Sequence, residues 1–375
     1  MAVTELDLAR LQRALALARS AIGLSDPNPR VGCVLATADG RICAEGHTQQ
    51  AGGHHAEAMA LQSAAGVDLR GGTAWVSLEP CAHHGRTPPC SDALIAAGLS
   101  RVVVVQHDPF PQVAGQGIAR LRAAGIQVDL PPPGPITAEA DALNVGFFSR
   151  IHRGTPWLRL KVAASLDGRT ALANGVSQWL TGPEARADGH GWRQRAGAVL
   201  TGCGTVLADD PRLDVRLVPA VLQPLRVVVD SRLSTPPAAK LCAPPGQVLI
   251  ATACPDGPRA DALRAVGAEI LHLPDGRGRV DLPALCSQLA ERGVNELHVE
   301  AGATLNAALL QAGLVDELLV YLAPCLVGPG RDLAALPPLA RLIDALSLRF
   351  IEHQGVGPDL RLRALTERGA SFMAR

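Results

Sequence analysis

Three soft metal donors and one carboxylate stand at a spacing that could do chemistry. His55-Ala56-Glu57 is followed downstream by Pro80 to Cys90, which reads PCAHHGRTPPC. His55, Cys81 and Cys90 suit a zinc ion, and three protein donors leave the fourth tetrahedral position open for water, as a catalytic zinc needs and a structural zinc does not. Zinc lowers the pKa of that water toward neutrality, to about 7 in favourable sites. Glu57 need not be a ligand. Two residues after His55, it is placed to carry protons between the water and a leaving amine. Each half of the pattern alone is ordinary: a His-x-Glu pair is usually a surface helix feature, and two cysteines beside prolines are usually buried, inert thiols. The joint pattern is far more specific, and it is the one used by zinc deaminases of nucleobases.

The elements that must hold these residues are legible around them. His55 opens an apolar-periodic stretch to Ala65 that predicts a helix. Thr73 to Leu78 predicts a strand running into Glu79-Pro80-Cys81. Cys90 precedes a helix over Ser91 to Ala97, closed by Gly98. The ligands would then sit at two adjacent helix N-termini. Many nucleobase deaminases have Cys-x-x-Cys; here eight residues, Ala82 to Pro89, separate the cysteines. That loop carries His83, His84 and Arg86, donors suited to an anionic or highly polar substrate, although His84 alone is expected to face solvent. His54 beside His55 makes the histidine ligand ambiguous, and the two-residue offset to Glu57 favours His55.

Asn28-Pro29-Arg30-Val31-Gly32, the two zinc segments, Asp108-Pro109 and Val113-Ala114-Gly115-Gln116-Gly117 together resemble the deaminase half of the RibD family of bifunctional riboflavin biosynthesis proteins. The resemblance implies zinc at His55, Cys81 and Cys90, with Glu57 as proton shuttle, and substrate contacts at Asn28, His83 and Arg86. His54 and Ala82 depart from the usual pattern, but neither removes a ligand.

At 375 residues, two domains are the natural expectation. Hydrophobic residues make up 47% of the chain, enough for sizeable cores, whereas aromatics are only 3%. That scarcity argues against single-stranded nucleic-acid binding, which relies on stacking platforms. The 35 basic and 35 acidic residues cancel, so the basic footprint of a nucleic-acid enzyme is absent. The nine cysteines show no framework spacing beyond the zinc pair and read as reduced thiols. The first residues carry acids and amphipathic spacing, predicting a helix rather than a signal peptide. No apolar run reaches the roughly 18 residues that span a bilayer. A cytoplasmic enzyme is expected, without nucleic-acid or membrane partners, and as a homo-oligomer (dimer or tetramer).

Thr4-x-x-Asp7 reads as a capping pair ahead of a stripe of Leu8, Leu11, Leu15, Ala18 and Ile22. Strands are predicted at Val31 to Ala36 and Val102 to Gln106, and helices at Ile118 to Ala124 and Thr137 to Arg150. This alternation argues for a layered α/β sheet. Pro131 to Pro135 is a rigid break, but the boundary is placed near Arg153-Gly154-Thr155-Pro156, dividing the chain into 1–152 and 153–375. From Trp157 the pattern restarts as a second α/β domain. Its strands are expected at 158–163, 198–201, 225–230, 248–252, 270–273, 297–300, 318–323 and 360–365, with a helix at Pro183 to Arg195. No internal repeat relates the halves.

The second domain lacks the Gly-x-Gly-x-x-Gly fingerprint after its first strand. Glu300-Ala301-Gly302-Ala303-Thr304-Leu305-Asn306 instead predicts a strand, a glycine turn and a helix start, where free N–H groups and the helix dipole can hold a phosphate. Alone it reads more readily as an ordinary strand-to-helix turn. Lys161 to Arg169 (KVAASLDGR), Ser177 to Thr181 (SQWLT), Thr205 to Leu213 (TVLADDPRL) and Val299 to Gly302 resemble the reductase half of the same family, which is similar in fold to dihydrofolate reductase. The implied architecture is an N-terminal cytidine-deaminase-like α/β/α layer domain followed by a C-terminal dihydrofolate-reductase-like α/β domain. The resemblance implies NADPH binding by Ala163, Trp179, Thr205, Asp209, Ser231 and Gly302, Ala303, Thr304, Leu305 and Asn306. It implies substrate binding by Ser177, Arg193, Leu213, Arg216 and Glu300. Guanidinium forks at Arg193 and Arg216 suit a sugar phosphate. Ala301 stands where Gly is usual, and Lys161 is a candidate electrostatic or proton-handling group. The implied activity is zinc-hydroxide deamination of a diaminopyrimidinone ribose phosphate, then NADPH-dependent reduction of its ribose to ribitol. A tRNA or free-base deaminase fused to an accessory module, and a scaffold with a structural zinc, remain the alternatives. Deamination of a phosphorylated pyrimidine but not of tRNA separates the first, and the carboxylate Glu57 speaks against the second.

Overall fold

The computed structural model describes residues 3–82, 88–110 and 113–374. Two compact units divide between Arg153 and Gly154. In the first, α1 (Glu5–Arg19) opens with a reciprocal cap: Asp7 donates its N–H to Thr4 Oγ1, and Thr4 donates its N–H to the Asp7 carboxylate. There follow β1 (Gly32–Ala36), β2 (Ile42–His47), α2 (Ala56–Ser63), β3 (Thr73–Val76) and α3 (Cys90–Ala96), then β4 (Arg101–Val104), α4 (Gln116–Ala123), β5 (Gln127–Asp129) and α5 (Pro135–Arg153). The sheet order is β2-β1-β3-β4-β5, with β2 and β3 antiparallel to β1 and the remaining pairs parallel. Leu11, Leu15 and Ala18 of α1 and Ile136, Ala140 and Leu143 of α5 pack on Val34, Trp75 and Val103 of the sheet. Side chains alternate along a strand, so Cys33 points to the other face, where α2 and α3 lie. The expected layered α/β arrangement is present. β2 and β5 were not expected, and β1 and β2 form an antiparallel hairpin.

Asp7 also accepts from Trp75 Nε1 at 2.8 Å and from Arg101 at 2.8 Å. Burial alone would raise this carboxyl, but Arg101, Thr4 and Trp75 hold it well below the usual range.

The second unit contains β6 (Trp157–Ser165), β7 (Arg169–Leu172), α6 (Pro183–Arg195), β8 (Ala198–Gly202), α7 (Cys203–Asp209) and β9 (Leu225–Val229). It continues with β10 (Val248–Thr252), α8 (Pro258–Ala265), β11 (Glu269–His272), α9 (Leu282–Glu291), β12 (Glu296–Val299) and α10 (Ala303–Gln311). It ends with β13 (Glu317–Ala323), β14 (Gly330–Asp332), β15 (Arg349–Val356), β16 (Asp359–Leu365) and α11 (Glu367–Met373). The nine-stranded sheet runs β11-β10-β9-β8-β12-β6-β13-β16-β15. It is parallel from β11 to β13, and β16 and β15 close it antiparallel. Aliphatics such as Leu160, Leu200, Leu249 and Leu297 fill its core, as strands covered on both faces require. Helices α7 and α11 and strands β7, β14 and β15 were not anticipated.

One charged layer is buried in this unit. Arg159 bonds Glu296 at 2.8 Å and Glu317 at 3.0 Å, its guanidinium stacked on Trp192 at 4.4 Å. Arg363 adds 2.6 Å to Glu317, and Arg195 adds 2.8 Å to Glu296. With each charge paired, the layer avoids the cost of isolated buried ions. Period-2 alternation then puts Lys161 on the face of Arg159, next along β6.

Candidate functional sites

In the first unit the zinc donors converge from three backbone segments. His55 is the N-cap residue of α2, and Cys90 is the first residue of α3. Cys81 is fixed between them: its carbonyl accepts from Ser91 N–H at 3.1 Å and Ser91 Oγ at 3.0 Å, and its Sγ accepts from Cys90 N–H at 3.3 Å. Helix α2 can approach β2 only because residue 46 is glycine, where a Cβ would lie 2.4 Å from the Ala56 carbonyl oxygen. The strand β3 exit is held by Glu79, whose carboxylate accepts N–H bonds from Gly115 at 3.0 Å and Ile118 at 3.1 Å.

His55 Nδ1 lies 3.6 Å from Cys81 Sγ and 3.4 Å from Cys90 Sγ, and the three donor atoms all fall within 4.8 Å of one another. Zinc bonds of about 2.05 Å to nitrogen and 2.3 Å to sulfur at tetrahedral angles give a nitrogen–sulfur edge of about 3.6 Å. The donor set therefore fits zinc in both chemistry and spacing. The Cys90 thiol that bonds Cys81, together with His55, pulls Cys81 down to about 4 against the effect of burial. Cys90 is pushed up by that same bond and by its burial. Glu57 is buried, and burial, reinforced by the charge of Cys81, pushes its carboxyl up to about 7. A carboxyl that changes charge near neutral pH is suited to taking and returning a proton.

Asn28, His55, Glu57 and Cys81 line one cavity of about 440 Å³, with Cys90 buried behind them. His83 and Arg86 lie outside the described residues. Several residues of the cavity wall were not read as site groups, among them Asp108, Phe147 and Arg150. Asp108 stood in the quoted Asp-Pro motif, and burial pushes its carboxyl up to about 7.

In the second unit, all the residues expected around NADPH and the second substrate line one cleft of about 2150 Å³: Lys161, Ala163, Ser177, Trp179, Arg193, Thr205, Asp209, Leu213, Arg216, Ser231, Glu300 and Gly302 to Asn306. It opens outside the carboxyl ends of β8, β9 and β12, where open α/β sheets bind ligands. Helices α7 and α10 both start there. A Cβ on Gly302 would sit 3.7 Å from Thr205 Oγ1, in the space between the two helix starts. Among the described residues, N–H groups at both helix starts have no partner and are available to a diphosphate. Asn306 Oδ1 is buried without a partner among the described residues. This cradle fits a dinucleotide.

Glu300 sits at the exit of β12. Arg193 of α6 grips its carboxylate through two nitrogens, one at 2.9 Å, and also reaches the Asp214 carbonyl at 2.9 Å. Lys161 Nζ is 3.9 Å from Glu300, and His298 Nε2 is 3.4 Å away. Burial opposes the charge of Glu300, but Arg193 and Lys161 outweigh it and hold the carboxyl well below its ordinary value. Burial, with Arg193, lowers the Lys161 ammonium against the pull of Glu300. His190 also lines this cleft and was missed, though it falls on the helix of Arg193, three residues before it; Asp214, which holds Arg212 and Arg216, was missed as well.

Comparison with known proteins decides the family. Residues 4–106 match the cytidine and deoxycytidylate deaminase zinc-binding region, and residues 156–362 match the RibD C-terminal domain. The riboflavin biosynthesis protein RibD of Escherichia coli K12 is 47% identical over 366 residues, covering 94% of this chain and 97% of its own. The chain belongs to the RibD family. The RibD of Aquifex aeolicus is 37% identical over 96% of this chain and 98% of its own. Among solved structures, Acinetobacter baumannii RibD superposes with a TM-score of 0.88 at 39% identity, covering 96% of this chain and 98% of that one. A bifunctional deaminase and reductase from Thermotoga maritima does so at 0.85 and 31%, covering 96% and 99%. The chain is therefore a bifunctional RibD-family enzyme of riboflavin biosynthesis, with a zinc-dependent deaminase and an NADPH-dependent reductase. Among the described residues, no helix is long and apolar enough to cross a membrane.

Proposed function

We propose that residues 1–152 deaminate 2,5-diamino-6-ribosylamino-4(3H)-pyrimidinone 5′-phosphate. Residues 153–375 then reduce the ribosyl group of the product to ribityl, giving 5-amino-6-ribitylaminouracil 5′-phosphate. The Thermotoga maritima neighbour is described as a diaminohydroxyphosphoribosylaminopyrimidine deaminase and 5-amino-6-(5-phosphoribosylamino)uracil reductase. The observation that carries the reading is the His55, Cys81 and Cys90 cluster at tetrahedral spacing beside the buried carboxyl of Glu57.

Zinc held by His55, Cys81 and Cys90 supplies the polarisation that lets water act as nucleophile near neutral pH. Glu57 takes a proton from the attacking water and gives it to the ring nitrogen; it then takes the remaining hydroxyl proton as the carbonyl forms and gives it to the amine, whose bond to carbon breaks as ammonia leaves. Asn28 at the cavity wall, with His83 and Arg86 from the loop, orients the ribotide. In the second site the Gly302 to Asn306 turn, with Ala163, Trp179, Thr205, Asp209 and Ser231, would hold NADPH, which would supply the hydride for the sugar C1′ in its open-chain imine form. Arg193 holds Glu300 in one rotamer while Ser177, Leu213 and Arg216 bind the substrate. Lys161 supplies positive charge or a proton where the imine nitrogen gains electrons. Positioning of cofactor and substrate is the main contribution of this half.

We place the enzyme in the cytoplasm, where Cys81 and Cys90 stay reduced as zinc binding requires. We also propose a homo-oligomer. Leu342, Ile343 and Phe350 are 90%, 83% and 67% exposed, along and just before the edge strand β15, and such an apolar run marks an association surface. The test of function is an assay on the diaminopyrimidinone ribotide that follows ammonia release and NADPH oxidation separately. Absence of ammonia release with this substrate refutes the first activity, and NADPH left unoxidised by the deaminated product refutes the second.

A further inference from the structure

His190 is on α6, three residues before Arg193, and is 5% exposed. Its ring lines the reductase cleft beside Arg193, Arg216 and Glu300. Nδ1 accepts the backbone N–H of Arg216 at 3.1 Å. A ring nitrogen that accepts carries no proton, so the neutral imidazole must hold its proton on Nε2. Burial, and then the Arg193 and Arg216 cations, push the ring down to about 4, which keeps it neutral at pH 7. Among the described residues Nε2 has no hydrogen-bond partner, and it is not sealed from the cleft either.

The cations around this donor are already engaged. Arg193 is committed to Glu300 and to the Asp214 carbonyl. Arg212 and Arg216 share the Asp214 carboxylate at 2.8 and 2.6 Å. Three guanidiniums facing two carboxylates leave a positive excess that draws an anion, and Arg212 and Arg216 each spend only one nitrogen on Asp214. The imidazole adds to them a neutral N–H in a direction fixed by burial and by the Arg216 bond.

We propose that His190 binds the ribotide in the reductase site by donating Nε2–H to a phosphoryl oxygen, acting as a substrate-binding group and not as an acid or base. The inference rests on the function proposed above. The same ring also supports the loop of Arg216 through Nδ1, so the test must separate the two nitrogens.

Asparagine and glutamine do so. In His190→Asn the amide oxygen can replace Nδ1 as acceptor for Arg216, with nothing at Nε2. In His190→Gln the amide nitrogen reaches the Nε2 position. Loss of one hydrogen bond to a charged group should raise the reductase KM of His190→Asn by about tenfold or more, with kcat little changed, and His190→Gln should recover most of it. On the dephosphorylated substrate His190→Asn and the unaltered enzyme should have the same KM. A KM for His190→Asn equal to that of the unaltered enzyme, or a loss shared by both variants, overturns the proposal and leaves only packing or loop support. If the variants fold poorly, nitrogen-15 spectra of histidine-labelled full-length enzyme at pH 7 decide the tautomer. A neutral Nε2–H ring is expected, and an Nδ1–H ring or an imidazolium overturns the proposal. Unaltered enzyme that fails to oxidise NADPH with the deaminated ribotide sinks the function itself; active enzyme with indifferent variants sinks only the role of His190.

Discussion

Glu57→Gln should slow deamination at least about a hundredfold and stabilise the metal-free chain at once. The substitution keeps the size of a side chain that is only 3% exposed, so it opens no cavity. What it removes is proton transfer, for which a positioned carboxylate contributes about 10² to 10⁴ in rate, or about 3 to 5 kcal/mol. The stability effect has the opposite sign. Burial, with the charge of Cys81, raises this carboxyl from its ordinary 4.5 to about 7. Between those values the folded chain binds more protons than the unfolded chain, so stability falls as pH rises through this window and levels off above pH 7. A gap of that size is worth roughly 3 kcal/mol at pH 8. The metal-free glutamine variant should therefore melt several degrees higher than the metal-free parent at pH 8, with little difference at pH 4.5. With zinc restored it should bind the metal, release ammonia at least about a hundredfold more slowly, and oxidise NADPH with the deaminated substrate at the parent rate. Ammonia release within tenfold of the parent would refute the proton-shuttle role. Loss of zinc would show that Glu57 is itself a ligand.

Three further outcomes are expected. Arg193→Ala removes charge-assisted bonds to Glu300 and should raise the reductase KM by roughly 10- to 100-fold while leaving ammonia release intact; steady-state NADPH oxidation checks it. Glu317→Gln leaves Arg159 and Arg363 short of a buried partner and should cost about 3 to 5 kcal/mol in denaturant unfolding of the second unit. Burial raises the Glu317 carboxyl, but Arg159 and Arg363 outweigh it and bring it down to about 2. Its contribution is thus complete above its ordinary 4.5 and is lost as pH falls from there toward 2, so melting temperatures of parent and variant should converge at low pH. The double substitution Leu342→Asp with Ile343→Asp should convert the oligomer to a smaller species in sedimentation, and an unchanged mass would remove β15 and its approach from the interface.

The two sites were unequally legible, for a reason that lies in how each is built. A metal centre demands particular atoms at short range, so His55, Glu57, Cys81 and Cys90 announce themselves within one stretch of chain, and the helix starts that carry them follow from ordinary periodicity. The reductase cleft is assembled from side chains between Lys161 and Leu333, most of which have unremarkable types. Without a resemblance to a family, Arg193 and Arg216 read as solvated charges; only the fold reveals that Arg193 is spent on Glu300 and that Arg216 shares Asp214. The same limit explains the missed elements. β5 has three residues, β2 reads ICAEGH and β15 reads RFIEHQGV, edge strands whose polar positions break the alternation. Helix α7 is short and begins Cys-Gly-Thr, weak helix formers stabilised by their place between β8 and the cleft.

Buried charge is the hardest case. Arg159, Glu296 and Glu317 occupy strands where a pattern of apolar positions assigns them to solvent, yet they are 1%, 0% and 1% exposed. Arg159 is tolerable because both carboxylates meet it, with Arg195 and Arg363 completing their pairing, and that arrangement is set by the register of β12, β6 and β13, which places Arg159 opposite both Glu296's strand and Glu317 itself. One face of β6 thus carries Trp157 and Arg159 in the sealed layer and Lys161 at the cleft. The paired layer fixes the strand whose next inward residue is Lys161, so the charges that sequence patterning misreads as surface are the ones that hold the reductase site in register.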